Sequence, residues 1–145
     1  MSALIYPAAI EQAGPDDFVV RFRDIPEAIT GGVTEAEALS AAGDALAAAV
    51  DHYLDLGRDV PAPSVARRGE RQVGLEPAVA ARLLLVSAMA AHGVSGRALA
   101  GLLGKDEKAV RRVVSGKGAS LEQTFAALRV LGVRPALSTV TALRR

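Results

Sequence analysis

The chain contains no cysteine, and three phenylalanines and two tyrosines are the whole of its aromatic content among 145 residues. The absence of cysteine excludes disulfide bonds and thiolate metal sites, and it is compatible with a reducing cytoplasm. Half of the residues are hydrophobic. The chain can therefore bury a core, but alanine, leucine and valine must supply most of the packing.

Long hydrophobic runs are also missing. Asp44 and Arg82 interrupt the longest alanine- and leucine-rich stretches, which stay short of the roughly 18 apolar residues that a membrane span needs. The N-terminus lacks the basic start of a signal peptide. We therefore expect a cytoplasmic protein that has no membrane partner.

The net charge of +1 conceals two oppositely charged halves. Residues 1–59 contain 3 basic and 11 acidic side chains, a net charge of −8, whereas residues 60–145 contain 14 basic and 5 acidic ones, a net charge of +9. An acidic segment suits a basic protein, and a basic segment suits nucleic acid. The charges favour two modules with different partners.

The first half has the pattern of a small sheet followed by one helix. Thr34 and Glu37 have the spacing of a capping box, which predicts a helix that ends at Gly57. Composition and alternation predict three strands, at 3–10, 18–23 and 28–30. Five residues at helical spacing are expected to face this sheet: Leu39, Ala42, Leu46, Ala49 and Tyr53.

Three aspartates, Asp44, Asp51 and Asp55, fall on the opposite side of that predicted helix. A row of acids on a helix is either a solvated face or a face that binds a partner. The residues alone leave both interpretations open.

The second half is predicted to be helical after a linker at 61–69 and a short strand at 71–75. Pro77 starts a helix that Gly93 ends. Ser95 and Asp106 can cap two further short helices around Gly104, an arrangement typical of a helix-turn-helix. We expect Ala98, Leu99, Leu102, Val110 and Val113 to be buried there.

The second helix of such a motif enters the major groove of DNA. Arginine and lysine can donate hydrogen bonds to guanine, and a carboxylate can accept one from cytosine. An ordinary helical hairpin with a basic surface is the alternative. Six residues are predicted to contact DNA: Lys105, Glu107, Lys108, Arg111, Arg112 and Lys117.

Two family resemblances follow from these residues. Leu99-Ala100, Gly104, Val110, Gly116 and residues 120–122 resemble the Xre/Cro-like helix-turn-helix family. The N-terminal half resembles the HicB antitoxin family in the order of many short motifs, and residues 67–140 are similar to its longer members. Those motifs are Tyr6-Pro7-Ala8, Ile10-Glu11, Phe18-Val19-Val20, Phe22, Asp24-Ile25-Pro26, Thr30-Gly31, residues 34–38, Leu54, Gly57, Pro61, Pro63 and Ser64.

The resemblance implies an α+β protein: a partial ribonuclease-H-like domain of three strands and a helix (1–60), a linker with a short strand (61–75), and a helix-turn-helix and dimerisation domain (76–145). HicB proteins bind HicA, a small basic ribonuclease that cleaves mRNA with a histidine, and the complex represses its own operon. The acidic half would then cover the toxin. Its candidate contacts are Asp24, Glu27, Asp44, Asp51 and Asp55.

The C-terminal residues 136–143 follow a proline and are rich in β-branched types. We expect them to form an edge strand that pairs with its copy in a dimer. The alternative is a strand that folds back on its own chain.

Two other functions stay open. The chain could be a stand-alone transcription regulator with a HicB-like N-terminal domain, or a nuclease that uses carboxylates such as Glu11, Asp16, Asp17 and Asp24. These acids lie in a predicted turn or at strand ends, where they commonly serve local hydrogen bonds. His52 and His92 are isolated. We therefore expect no catalytic activity, no metal and no cofactor.

Overall fold

The structure, a computed structural model, describes residues 3–140 and divides into two compact units. The first runs to Glu76 and includes the described residues from Ser138 onward, and the second is Pro77–Leu137. The α+β class is confirmed. The described elements are β1 (Ile5–Gly14), β2 (Asp17–Arg21), β3 (Ile29–Gly32), α1 (Glu35–Asp55), β4 (Arg71–Gly74), α2 (Pro77–His92), α3 (Gly96–Leu103), α4 (Glu107–Ser115) and α5 (Leu121–Val130).

The first unit is a four-stranded antiparallel sheet in the order β3-β2-β1-β4, with α1 against one face. β1 and β2 form the expected hairpin. β4 pairs with the start of β1, so that Ile5 lies opposite Gly74 and Ala8 opposite Arg71. The sheet thus has one strand more than the resemblance implied. The segment expected to link the domains, 61–75, supplies this edge strand.

The first turn of α1 packs closely against β3. A side chain on Gly32 would place its Cβ 2.7 Å from the backbone nitrogen of Ala38. The buried residues of α1 are Ala38, Ala42, Leu46, Val50 and Tyr53. The prediction named Leu39 and Ala49 in place of Ala38 and Val50, and both are only half-buried. The close approach at Gly32 turns the helix so that the small residue Ala38 faces the sheet.

The second unit packs four helices around its own apolar core. Leu85, Leu99, Val110 and Leu128 are almost completely removed from solvent there. No single helix within residues 3–140 is long and apolar enough to cross a membrane. α2 and α3 reach that length and composition only together, across a bend of 102°.

Pairing of the C-terminal segment with a second copy stays a prediction, because the structure contains one chain. Residues 136–140 form no strand in the single chain, and 141–143 lie outside the described residues. A Cβ added to Gly74 would lie 3.8 Å from Val140 Cγ1. Val140 thus lies beside Gly74 without pairing in the sheet.

Candidate nucleic-acid interface and partner-binding surface

α3 and α4 are joined by three residues, and each helix has the N-terminal cap that its sequence predicts. Ser95 Oγ accepts a hydrogen bond from the backbone of Ala98 at 3.1 Å, and Asp106 Oδ1 accepts one from Ala109 at 2.7 Å. Gly104 ends α3 in the left-handed conformation, at φ +65°, which glycine adopts without a steric penalty. The start and direction of α4 are thus fixed locally.

The faces of these helices are only partly as expected. Val110 and Val113 of α4 and Leu99 of α3 are buried. Ala98 is exposed, Leu102 is 57% exposed, and Ala100 is buried instead. The contact face of α3 is therefore narrow and centred on residues 99 and 100. Positions 98 and 102 lie together on another face because they are one helical turn apart.

All six residues predicted to contact DNA are exposed, and all lie on α4 or beside it. Lys108, Arg111 and Arg112 share one face of α4, since residues three and four apart are neighbours on a helix. Lys105 lies in the turn before α4, and Lys117 follows the glycine that ends it. The structure brings these basic side chains to one helix and its two flanks.

Arg97 is a neighbour of this group that sequence reasoning missed. Its Nε lies 3.7 Å from Glu107 Oε1, which links the first turn of α3 to the first turn of α4. Both side chains are largely exposed, so the pair contributes little to stability. Arg97 could have been found from its place in the first turn of the predicted helix.

Three of the five acids predicted to contact the toxin form a row along α1. Asp44 and Asp55 are exposed and Asp51 is half-buried. They lie on the side of the helix away from its buried residues. We call this row the acidic surface of α1. Because it lies on a helix of 21 residues, its charges are held at fixed spacing.

Asp24 is engaged within the first unit. Its two carboxylate oxygens accept hydrogen bonds from the backbone nitrogen of Ser64 at 2.8 Å and from Ser64 Oγ at 2.5 Å. The side chain is only 10% exposed. Asp24 therefore holds the segment after α1 near the end of β2.

Glu27 is part of a cluster at the end of α1. Its carboxylate accepts a hydrogen bond from Tyr53 Oη, and the Arg58 guanidinium lies 4.2 Å from the centre of the Tyr53 ring. The hydrogen bond from Tyr53 lowers the pKa of Glu27 below its usual range and raises the pKa of Tyr53. Glu27 is still about half exposed, since its side chain is 49% accessible.

The predicted linker is also tied to the sheet. Arg23 donates to both oxygens of Glu70 at 3.0 Å and to the carbonyl of Val65 at 2.6 Å. This pairing lowers the pKa of Glu70. Tyr6 Oη donates to the carbonyl of Pro61 at 2.8 Å. Burial, and secondarily the charge of Asp24, raises the pKa of Tyr6 to about 12.

The carboxylates considered for catalysis do not assemble into a metal site. In the part of the chain that the structure describes, no group of three or more histidine, cysteine or acidic side chains could hold a metal ion. Asp16 and Asp17 are exposed at the turn between β1 and β2, and Asp24 is occupied by Ser64. His52 and His92 are exposed on different helices.

Comparison with known proteins gives a consistent result. The family described as "HicB_like antitoxin of bacterial toxin-antitoxin system" matches residues 5–84. The chain is 40% identical to Antitoxin HicB 2 of Photorhabdus laumondii over 128 residues, which cover 88% of this chain and 90% of that protein. It is 34% identical to Antitoxin HicB of Escherichia coli K12 over 108 residues, 74% of this chain and 78% of that protein.

Proposed function

Because the chain belongs to the HicB-like antitoxin family, we propose that it binds and masks a small HicA-type mRNA-cleaving toxin. We further propose that it binds operator DNA as an oligomer and represses its own operon. The separation of charge between the two units supports both roles. Residues 1–76 contain 6 basic and 13 acidic side chains, a net charge of −7, and residues 77–137 contain 9 basic and 3 acidic ones, a net charge of +6.

The acidic surface of α1 is the part of the first unit best suited to a basic toxin. Asp24 and Glu27 already accept hydrogen bonds within the unit, so they would have to exchange existing partners. Asp44 is exposed on α1, on the side of the helix away from its buried residues. Complementary charge of this kind accelerates association and selects the partner.

Masking is tested with the protein encoded by a short, basic neighbouring reading frame. The variant Asp44→Asn/Asp51→Asn/Asp55→Asn is compared with Glu11→Gln/Asp16→Asn/Asp17→Asn. Both remove three charges from the same unit. Calorimetry should show a clear loss of toxin affinity for the first variant, whereas the second should mainly slow association at low salt.

Equal losses of toxin affinity in the two variants would show that the acidic surface of α1 acts only through the overall charge of the unit. If wild-type protein binds no neighbouring gene product but still binds an operator, the chain is a stand-alone regulator.

For DNA binding, we propose that α3 and α4 act as a helix-turn-helix with α4 in the major groove. Lys108, Arg111 and Arg112 would then face base edges, with Glu107 beside them in the first turn of α4. Lys105 and Lys117 would contact phosphates, which contribute affinity but no sequence information. The burial of Val110 and Val113 supports this orientation, because it leaves the basic face outward.

Operator binding is tested with Arg111→Ala/Arg112→Ala against Arg129→Ala/Arg134→Ala, which removes the same charge from exposed positions of the same unit. A bidentate contact to guanine is worth about 1–3 kcal/mol, and its loss relaxes specificity at that base. Loss of a phosphate contact weakens all sequences alike and lowers the salt slope by about one. Binding at two salt concentrations separates these cases. An operator affinity that is equal in both variants would exclude α4 as the reading helix.

Operator recognition also calls for an oligomer, because paired recognition helices contact half-sites about 34 Å apart. We propose that residues 136–143 pair with those of a second copy, because their described part, 136–140, has no strand partner within one chain. Light scattering of a chain truncated after Val133 tests this. A smaller particle is expected, and an unchanged mass would refute assembly through this segment.

A further inference from the structure

Arg82 is a buried cation in the middle of α2. It is 7% exposed, although the helix residues on both sides of it, Ala81 and Leu83, are apolar. Sequence reasoning treated this residue only as an interruption of a hydrophobic stretch. Burying an arginine is costly unless its donors are paired. The contacts that compensate this cost therefore indicate what the residue does.

One of those contacts is to the end of α4. Arg82 Nε donates a hydrogen bond to the carbonyl of Val114 at 2.9 Å. Val114 lies in the last turn of α4, where carbonyl groups have no partner within the helix. A cation at this end also complements the negative pole of the helix dipole. Arg82 thus joins α2 to the C-terminal turn of α4.

The chain just beyond α4 is fitted to the same side chain. A Cβ added to Gly116 would lie 3.1 Å from Arg82 Cδ, and Gly116 has a φ of +71°. A larger residue is disfavoured there both by the backbone conformation and by the arginine. The end of α4 therefore rests directly on the stem of Arg82.

We propose that Arg82 is a positioning residue for sequence recognition by α4. This inference rests on the proposed DNA-binding function and adds to it a residue that acts through the Val114 carbonyl without touching DNA. Asp106 fixes the N-terminal end of α4 and Arg82 fixes the C-terminal end. Between them lie Lys108, Arg111 and Arg112, whose alignment with base edges depends on both ends.

A positioning role for Arg82 predicts a loss of sequence preference that a purely structural role does not. Base recognition requires recognition groups held to within about 0.5 Å, whereas contacts to the regular phosphate backbone tolerate a shifted helix. Loss of Arg82 should therefore lower affinity for the operator more than affinity for unrelated DNA. A role in folding alone would reduce the fraction of active protein and change both affinities equally.

The experiment compares Arg82→Met, Arg82→Lys and the exposed control Arg129→Met in the full-length protein. Affinities for the operator and for a scrambled duplex are measured at two salt concentrations, with the active fraction set by stoichiometric titration. Arg82→Met should lower the ratio of the two affinities about tenfold, the effect of one base contact. Arg82→Lys keeps the charge but has no donor at the position of Nε, so its ratio should be intermediate. Arg129→Met should leave the ratio unchanged.

If Arg82→Met fails to fold, Arg82→Lys decides the question, and a wild-type ratio in that variant overturns the proposal. A wild-type ratio in both variants also overturns it, whatever their stability. The proposed function fails separately if wild-type protein shows no preference for the operator.

Discussion

In the first unit, pairs of side chains far apart in sequence fix the loops around the sheet, whereas in the second unit short-range caps begin three of the four helices. Arg23 reaches Glu70, and Asp24 reaches Ser64 forty positions away. In the second unit, by contrast, Ser95, Asp106 and Ser120 each accept a hydrogen bond from the residue three positions later. The difference teaches that the proposed toxin-binding unit depends on its connecting segments and the proposed DNA-binding unit on its helix ends.

The largest expected effect comes from truncating one core leucine in each unit. Leu46 and Leu99 are both completely buried, and Leu→Ala at such sites costs about 2–5 kcal/mol. Both tyrosines, Tyr6 and Tyr53, lie in the first unit, so tyrosine fluorescence reports unfolding of that unit alone. Leu46→Ala should lower its transition midpoint and weaken toxin masking.

Leu99→Ala should leave the tyrosine transition in place and weaken operator binding instead. Circular dichroism, which follows the helices of both units, provides the second measurement. If Leu46→Ala and Leu99→Ala shift the tyrosine transition by the same amount, the two units unfold together and the comparison fails.

The next largest effect is expected from removing a helix N-cap, in α4 or in α1. Asp106→Ala removes the N-cap of α4 and should cost about 1 kcal/mol. Asp106→Asn is the matched control, because asparagine caps equally well but carries no charge. Both variants lose the charge of Asp106, so any effect of charge on operator affinity is common to them. Operator affinity should therefore be lower in Asp106→Ala than in Asp106→Asn. Thr34→Ala, which removes the corresponding cap of α1, should leave operator affinity unchanged. Equal operator affinities in the two Asp106 variants would show that this cap does not position α4.

Tyr6→Phe tests the connection between β1 and the segment that follows α1 within the first unit. It leaves the Pro61 carbonyl without its donor, which should cost about 0.5–1.5 kcal/mol. The pKa of Tyr6 is raised to about 12, above the value near 10 expected in the unfolded chain. Its contribution is therefore complete below about pH 10 and is lost as the pH rises to about 12.

Urea unfolding at neutral and alkaline pH should show a smaller alkaline loss in Tyr6→Phe than in wild type. Because the phenol is absent from that variant, circular dichroism and Tyr53 fluorescence provide the measurement. The same alkaline loss in both proteins would assign it to another group.

The smallest expected effect is on the stability of the first unit at acid pH. Arg23 lowers the pKa of Glu70 in the folded protein, so the stabilisation is present above about pH 4.3, the unfolded value, and is lost as the pH falls through the folded value. Glu70→Gln should make the acid loss of the tyrosine transition shallower, and Glu122→Gln in the second unit should not change it. High salt should reduce the difference, because partly exposed pairs are screened. An equal acid loss in Glu70→Gln and Glu122→Gln would show that the Arg23–Glu70 pair does not stabilise the first unit.

The sequence was sufficient for what depends on neighbouring residues. The caps at Thr34, Ser95 and Asp106 are confirmed because each joins residues only three apart. The α+β class is confirmed for the same reason, since strand alternation and helix spacing are local patterns.

Contacts across long loops could not be predicted. Nothing near Asp24 in the sequence indicates that Ser64 occupies its carboxylate, or that segment 71–75 returns to pair with β1. Arg82 was missed because only the packed end of α4 gives its guanidinium a partner. The faces of α1 and α3 shifted for a related reason: which side of a helix is buried depends on the element that packs against it.

One measurement tests the division of labour most directly. Asp44→Asn/Asp51→Asn/Asp55→Asn and Arg111→Ala/Arg112→Ala are each assayed in cells for toxin neutralisation and for repression of the operon. We predict that the aspartate variant loses neutralisation and, without toxin, still represses, whereas the arginine variant loses repression and still neutralises when expressed from an independent promoter. Full repression with neutralisation lost in the arginine variant would contradict the assignment of toxin and DNA to separate units.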